Sequence, residues 1–275
     1  MRLGGPIYDN CNTPEGWVET IRRCGYTAAF CPTVRAKEAL KTYCKVAIRA
    51  GIVIAETGAW SNPLSKDAEE KKKALLYCQE QLLLADEIGA RCCVNISGSR
   101  GKQWDGHDPK NFTKETFDLI VETVREIIDA VKPKRSFYTL ETMPWMYPNS
   151  AKSYLALIKA VDRKSFAVHF DPVNLINSPE KYYATGKLIR DFVAKLGPYI
   201  RSCHAKDISL SGKLTVHLDE VRPGLGNLDY ATYLTEIEKL DPDTSLMLEH
   251  LSTTEEYVLA ADFIRQKAQE VGVHL

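Results

Sequence analysis

Strand-favouring runs and longer helical patterns alternate along the whole 275-residue chain, eight of each, and few architectures accept that order. The strand-like runs are Leu3–Ile7, Thr27–Cys31, Ile52–Glu56, Cys92–Ile96, Ser136–Glu141, Ala167–Asp171, Ile200–Ala205 and Ser245–His250. The helical patterns are Pro14–Cys24, Ala36–Ala50, Lys66–Ile88, Thr113–Val131, Ser150–Ala160, Pro179–Leu196, Leu228–Leu240 and Thr254–Val271. Strict alternation implies a parallel sheet. Several strands are apolar on both faces until their last residues, as strands buried between a barrel interior and a helix layer must be. Eight such units, with no linker or composition break, favour one closed (β/α)8 TIM barrel over residues 1–275 rather than an open doubly wound sheet.

The helix boundaries carry their own chemistry. Thr13-Pro14-Glu15, Thr113 with Thr116, Ser178-Pro179-Glu180 and Ser252 to Thr254 ahead of Glu255-Glu256 supply hydroxyl caps at N-termini. Gly25, Gly51, Gly89, Gly197 and Gly272 stand where helices should end.

Active sites of this architecture gather at the carboxyl ends of the strands. Four consecutive strand ends carry acids or a histidine there: Glu141, Asp171, His204 and Glu249. Three carboxylates and one imidazole form an oxygen-rich set suited to a divalent ion, with Mn²⁺ the first choice and Mg²⁺, Co²⁺ or Zn²⁺ as alternatives. Each position also has a plainer reading. Glu141 fits a solvent-facing loop acid, and Asp171 before Pro172 fits a turn initiator. His169 shares a strand face with Asp171, one pleat deeper, where a hydrogen-bonding or core imidazole is the ordinary outcome. Lys206, two residues after His204, either holds a substrate oxygen, donates a proton or balances the acidic cluster. Strand parity turns His250 away from Glu249, toward the helix layer.

The longest βα connections, Thr57–Ser65, Ser97–Phe112 and Asp207–Asn227, should roof this site. From them and the strand ends come the candidate substrate contacts: Glu56, Trp60, Asn95, Trp104, His107, His169, Asn174, His217 and Arg222. The Pro223-Gly224-Leu225-Gly226 turn either holds an anion ahead of a helix or is a plain tight turn.

Lys and Arg together number 36, as do Asp and Glu, so the formal charge is zero and nothing points to nucleic acid or a membrane surface. The expected partner is a small molecule. Eight cysteines sit without CxxC spacing, several inside apolar runs, and Met1–Pro6 lacks the apolar core of a signal peptide. Reduced core thiols in a cytoplasmic protein are expected.

A metal held by Glu, Asp, His and Glu leaves room for substrate oxygens, and can polarise a carbonyl beside a hydroxyl. Glu141 and Glu249 would face each other across such a substrate, one taking a proton and the other returning it. That chemistry belongs to hydroxy-carbonyl compounds such as sugars.

The segments Leu140–Trp145 (LETMPW), His169–Asn174 (HFDPVN), His204–Asp207 (HAKD), Arg222–Tyr230 (RPGLGNLDY) and Leu248–His250 (LEH) make the chain resemble the xylose isomerase-like TIM barrels. That family includes sugar phosphate isomerases/epimerases, ketose 3-epimerases, hydroxypyruvate isomerase, inosose dehydratase and endonuclease IV. The resemblance covers essentially the whole chain. It implies that Glu141, Asp171, His204 and Glu249 are metal ligands, with the two glutamates as the acid–base pair. Ketose 3-epimerases carry a substrate-binding histidine three residues after the aspartate and an arginine six after the histidine ligand; here Asn174 and Leu210 stand in those places. Endonuclease IV needs further histidines where this chain has Glu56, Asn95 and Asn174. HAKD is more similar to the inosose dehydratase and sugar isomerase branch. The expected activity is a metal-dependent isomerase or epimerase of a sugar or keto-polyol, working through a metal-bound enediolate, with Glu141, Glu249 and Lys206 as catalytic groups. The alternatives are a lyase eliminating water or a glycosidic substituent from a 3-keto sugar or inosose, and a sugar-binding barrel without turnover. A homo-oligomer is compatible with either activity.

Overall fold

A computed structural model of the chain describes residues 1–8, 13–33 and 37–275. Ala36, where the second helix was predicted to begin, and Cys11 lie outside the described residues. Ten strands occur among those described: β1 (Arg2–Gly4), β2 (Ala28–Phe30), β3 (Val53–Gly58), β4 (Cys92–Asn95), β5 (Phe137–Glu141), β6 (Phe166–Phe170), β7 (Ile200–Ala205), β8 (Asp207–Ser211), β9 (His217–Val221) and β10 (Ser245–Leu248). The helices are α1 (Pro14–Arg23), α2 (Lys37–Arg49), α3 (Ala68–Ile88), α4 (Lys114–Val131), α5 (Ala151–Val161), α6 (Pro179–Tyr182), α7 (Thr185–Leu196), α8 (Tyr230–Glu238) and α9 (Thr254–Glu270). Eight strands close a parallel barrel in the order β1-β10-β7-β6-β5-β4-β3-β2, as the alternation predicts.

Closure depends on the first strand. Gly4 stands opposite Met247 in β10 and Ala28 in β2, where a Cβ would lie 2.5 Å from the Ala28 carbonyl oxygen and 2.7 Å from the Met247 sulfur. Only glycine lets the three strands meet there. A small apolar plug of Ala28, Ala55 and Met247 fills the barrel interior, while the main core lies between strands and helices.

The hydroxyl caps form as the sequence indicates: Thr13, Thr113, Ser178 and Thr253 accept from the backbone amides of Gly16, Thr116, Lys181 and Glu256. Gly25, Gly51, Gly89 and Gly272 take positive φ, whereas Gly197 at φ −44° opens a short 3-10 turn instead.

Two elements depart from expectation. The pattern Pro179–Leu196 is broken into α6 and α7, because tertiary hydrogen bonds take over its middle: Asn227 Nδ2 donates to the Tyr182 carbonyl, and Thr185 Oγ1 accepts from the Asp229 amide. The segment 207–227, expected to be a loop, instead opens with the antiparallel pair β8 and β9, in register from Asp207 with Val221 to Ser211 with His217. Its alternation is muted because much of it is exposed.

The turn after that hairpin is closed by Asp207. Its buried carboxylate accepts from the amides of Ile208 and Leu228 through Oδ1, at 2.9 and 2.8 Å, and from Gly224 and Gly226 through Oδ2, at 2.9 and 3.1 Å. The anion held by the Pro223–Gly226 turn is therefore the chain's own. Gly226 is required, since a Cβ would lie 2.3 Å from Asp207 Oδ1. Asp207→Ala should orphan these donors and lower the unfolding free energy by about 3 kcal/mol, read from the midpoint of chemical denaturation; an unchanged midpoint would show that the clamp contributes nothing.

Candidate metal centre

Strand register and two short turns bring the four sequence-separated donors together. Glu141 ends β5, opposite His169 of β6. His204 stands opposite Met247 near the end of β7, with Glu249 just past β10. Asp171 follows β6, and its Oδ1 accepts from the amides of Val173 and Asn174 at 2.9 and 3.4 Å. The turn-forming role and the site role coexist, because the other oxygen, Oδ2, faces the cluster. Behind β7, two tyrosines of α8 take up carbonyls beyond the ladder: Tyr233 Oη donates to His204 O at 2.8 Å, and Tyr230 Oη to Lys206 O at 2.7 Å.

One donor atom each from Glu141, Asp171, His204 and Glu249 lies within 4.8 Å of the others. His204 Nδ1 is 3.1 Å from Glu141 Oε1 and 2.8 Å from Glu249 Oε1. The Lys206 ammonium packs into the same group, 2.9 Å from Asp171 Oδ2, 2.6 Å from Glu249 Oε1 and 3.5 Å from Glu220 Oε2. Close as these contacts are, Asp171 Oδ2 and Glu249 Oε1 accept no hydrogen bond of adequate geometry. Buried carboxylate oxygens with unused lone pairs, converging with an imidazole nitrogen, fit a small divalent cation.

The electrostatics follow from burial and crowding. Burial would raise both glutamates, yet the charges of His204 and Lys206 hold Glu141 and Glu249 below the ordinary carboxylate range. For Asp171 burial wins over Lys206 and pushes the carboxyl up to about 6. Burial opposes charge on His204 and Lys206, but the surrounding carboxylates hold both protonated well above their usual ranges.

Beneath this group lies a second set of contacts. Glu56 Oε2 accepts from Ser202 Oγ at 3.0 Å and meets His169 Nε2 at 3.0 Å, while its Oε1 meets His204 Nε2 at 3.3 Å. Burial alone would raise this carboxyl, but the two imidazoles and their hydrogen bonds hold it at about 2. His204 thus has one nitrogen toward the donor cluster and the other toward a carboxylate, the arrangement that fixes ring and tautomer in metal-binding histidines.

Above the donors opens a cavity of about 540 Å³. Of the residues expected as substrate contacts, Trp60, Trp104, Asn174 and Glu56 line it, as does Lys206. Asn174 also donates to Glu141 Oε1 at 3.2 Å, so it orients the acid as well. The others are placed elsewhere. Asn95 is fully buried, its amide spent on Ser61. His169 is buried beneath the donors, against Glu56. His107 and His217 are exposed outside the cavity, and Arg222 pairs with Glu256 at 3.7 Å. His217 pairs with Ser211 at the turn end of the β8–β9 hairpin, the end farther from the Asp207–Val221 pair that joins it to the barrel, and this keeps it off the cavity.

Sequence reasoning missed Met143, Trp145, Glu220 and His250, which also line the cavity. Met143 and Trp145 follow Glu141 in the LETMPW segment, which was the available signal. Glu220 arrives on the unforeseen hairpin. His250 departs from strand parity because its φ is +58°, and it meets Glu220 Oε1 at 3.1 Å instead of the helix layer.

The model of the xylose isomerase-like TIM barrel family matches residues 18–267. No protein of curated function matches the chain. Among solved structures, a D-tagatose 3-epimerase-like protein is 18% identical with a TM-score of 0.72, covering 99% of this chain and 98% of its own. D-psicose 3-epimerase from Clostridium cellulolyticum H10, solved with D-tagatose, is 16% identical with a TM-score of 0.67, covering 97% and 99%. A xylose isomerase-like TIM barrel protein from Mycobacterium smegmatis, solved with magnesium, is 17% identical with a TM-score of 0.65, covering 94% and 89%. At these identities the likeness establishes the fold.

Two outcomes are expected of metal titrations followed by calorimetry. Glu56→Gln should weaken Mn²⁺ binding roughly 10- to 100-fold with the fold intact by circular dichroism; unchanged affinity would deny Glu56 its orienting role. Binding should also strengthen with pH, because a proton on His204 or Asp171 occupies a donor. Asp171 adds its share below about pH 6, so affinity should fall steeply there, and a flat profile between pH 5 and 8 would contradict the assignment.

Proposed function

The chain belongs to the xylose isomerase-like TIM barrel family, and from that premise we propose that it is a divalent-metal-dependent isomerase or epimerase of a sugar or keto-polyol. The observation that carries this reading is the convergence of Glu141 and Glu249 on one donor cluster at the floor of a tryptophan-walled cavity. The epimerase likeness of two structural neighbours supports it.

Glu141, Asp171, His204 and Glu249 would hold the ion, for which we propose Mn²⁺ and, next, Mg²⁺. When bound, it would supply a Lewis acid that polarises a carbonyl and its neighbouring hydroxyl and so acidifies the C–H between them. The remaining work falls to the side chains. Both glutamates are held below the ordinary carboxylate range, so at neutral pH both are unprotonated and able to accept a proton from carbon. The glutamate that takes the proton becomes the acid that can return it. Return of that proton to the neighbouring carbon gives an isomer; an epimer needs the facing glutamate, once it has taken a proton from solvent, to deliver it to the opposite face of the same carbon. Lys206 stays charged and lines the cavity, where it can hold a substrate oxygen or donate to one. Trp60, Trp104 and Trp145 line the cavity and offer apolar ring surface to the C–H face of a sugar.

Elimination of a β-substituent begins with the same proton abstraction, so the donor cluster serves a lyase equally well. Incubation of keto-sugars in D₂O with the Mn²⁺-loaded protein separates the outcomes. Deuterium in a recovered or rearranged sugar is expected; an unsaturated product would replace the isomerase reading with the lyase; binding without exchange would leave a sugar-binding barrel. Glu249→Gln should reduce exchange roughly 10³-fold, and normal exchange in that variant would remove Glu249 from the acid–base pair.

A further inference from the structure

A second cavity, of about 610 Å³, opens beside the first, and Trp60 and Trp104 line both. The two cavities differ in what surrounds that shared wall. The first has the donor cluster below it; the second has none of it, and is bounded by Tyr77 and Lys73 of α3 and by Lys102 and Gln103 of the 97–112 loop. Each is by itself within the roughly 300–1,000 Å³ of a small-molecule pocket, so a single sugar over the donors leaves the second unused.

This cavity is a built feature. The loops that form it are tied together: Asn62 Nδ2 donates to Ser99 O at 2.9 Å, Arg100 Nη1 donates to Leu64 O at 2.6 Å, and the Ser99 amide donates to Trp104 O at 3.0 Å. Gly98, at φ +93°, permits the approach, because a Cβ there would lie 2.2 Å from Asn62 Oδ1. Trp60 rests against Gly58, where a Cβ would meet its Nε1 at 2.5 Å, and Tyr77 Oη donates to the Gly58 carbonyl at 3.4 Å. The loops that carry Trp60 and Trp104 are therefore tied together before any ligand arrives, which lowers the cost of binding. Lys73 and Lys102 have no hydrogen-bond or ion-pair partner among the described residues, leaving two donors at the rim for hydroxyl or ether oxygens. Flat aromatic faces with polar donors around them suit a ring whose faces are C–H and whose edge is oxygen.

We propose that the second cavity is a ring-binding subsite and that the ligand is a glycoside of two ring units, with a keto-sugar over the donor cluster and its glycosidic partner across Trp60 and Trp104. The identity of the first ring rests on the function proposed above; the subsite itself does not.

Calorimetry on the Mn²⁺-supplemented protein tests it, comparing D-fructose with the fructose glycosides turanose, lactulose and isomaltulose. At least one two-ring probe should bind tenfold or more tightly than fructose. Lys73→Trp and, independently, Lys102→Trp should fill the cavity, remove that advantage and leave fructose affinity within twofold. Preference for one of these disaccharides assigns a sugar as the partner ring. No two-ring probe exceeding fructose, no measurable binding of any, or an advantage surviving both variants would overturn the subsite. Deuterium exchange into fructose without a two-ring advantage retires the subsite and keeps the proposed chemistry. A two-ring advantage without exchange in any probe does the reverse.

Discussion

Four carboxylates, from Glu56, Glu141, Asp171 and Glu249, are packed around one histidine and one lysine at the carboxyl end of the barrel. Two like charges about 4 Å apart repel by roughly 4 kcal/mol at the effective dielectric of a protein site, so this arrangement exists only because His204 and Lys206 sit between the acids. His204 is the pivot, its two nitrogens facing opposite carboxylate groups. Everything that fixes the end of β7 therefore matters to the site, including the α8 tyrosines that hold the His204 and Lys206 carbonyls.

The same crowding separates the roles of chemically similar residues. Glu56 makes three side-chain contacts and is committed to holding imidazoles. Asp171 and Glu249 each keep a buried oxygen without a well-formed hydrogen bond, which is a cost in a finished core and an asset in a cation site. Asp207, one residue beyond Lys206, is satisfied four times over by backbone amides and serves only the turn. Sequence position alone does not tell these four acids apart; their partners do.

Much of this was legible beforehand because it rests on local periodicity. The eight βα units, the four hydroxyl caps and the end-of-strand placement of Glu141, Asp171, His204 and Glu249 all follow from patterns a few residues long. The errors share a different cause. The hairpin of β8 and β9 lies outside the barrel and is too exposed to show a strong apolar alternation, so Glu220 was unseen and His217 misplaced. His250 escaped strand parity through one left-handed backbone angle. Asn95 and His169 lie on their expected strands, but Asn95 turns to Ser61 and to Cys78 of α3, and His169 lies beneath the donors against Glu56; barrel register and helix packing decide both.

The sequence by itself determined that eight strands would close, that their polar ends would share one face, and which acids and histidine that face would carry. Alternation and strand-end composition are enough for that, because a parallel barrel directs every strand's carboxyl end the same way. Tertiary structure decided which of those polar groups meet. The second partner of His204, the cavity wall shared by Trp60 and Trp104, and the capture of the glycine turn by Asp207 are contacts between residues tens to more than a hundred positions apart. They are set by register, loop ties and charge balance acting together, and no short stretch of sequence carries that information.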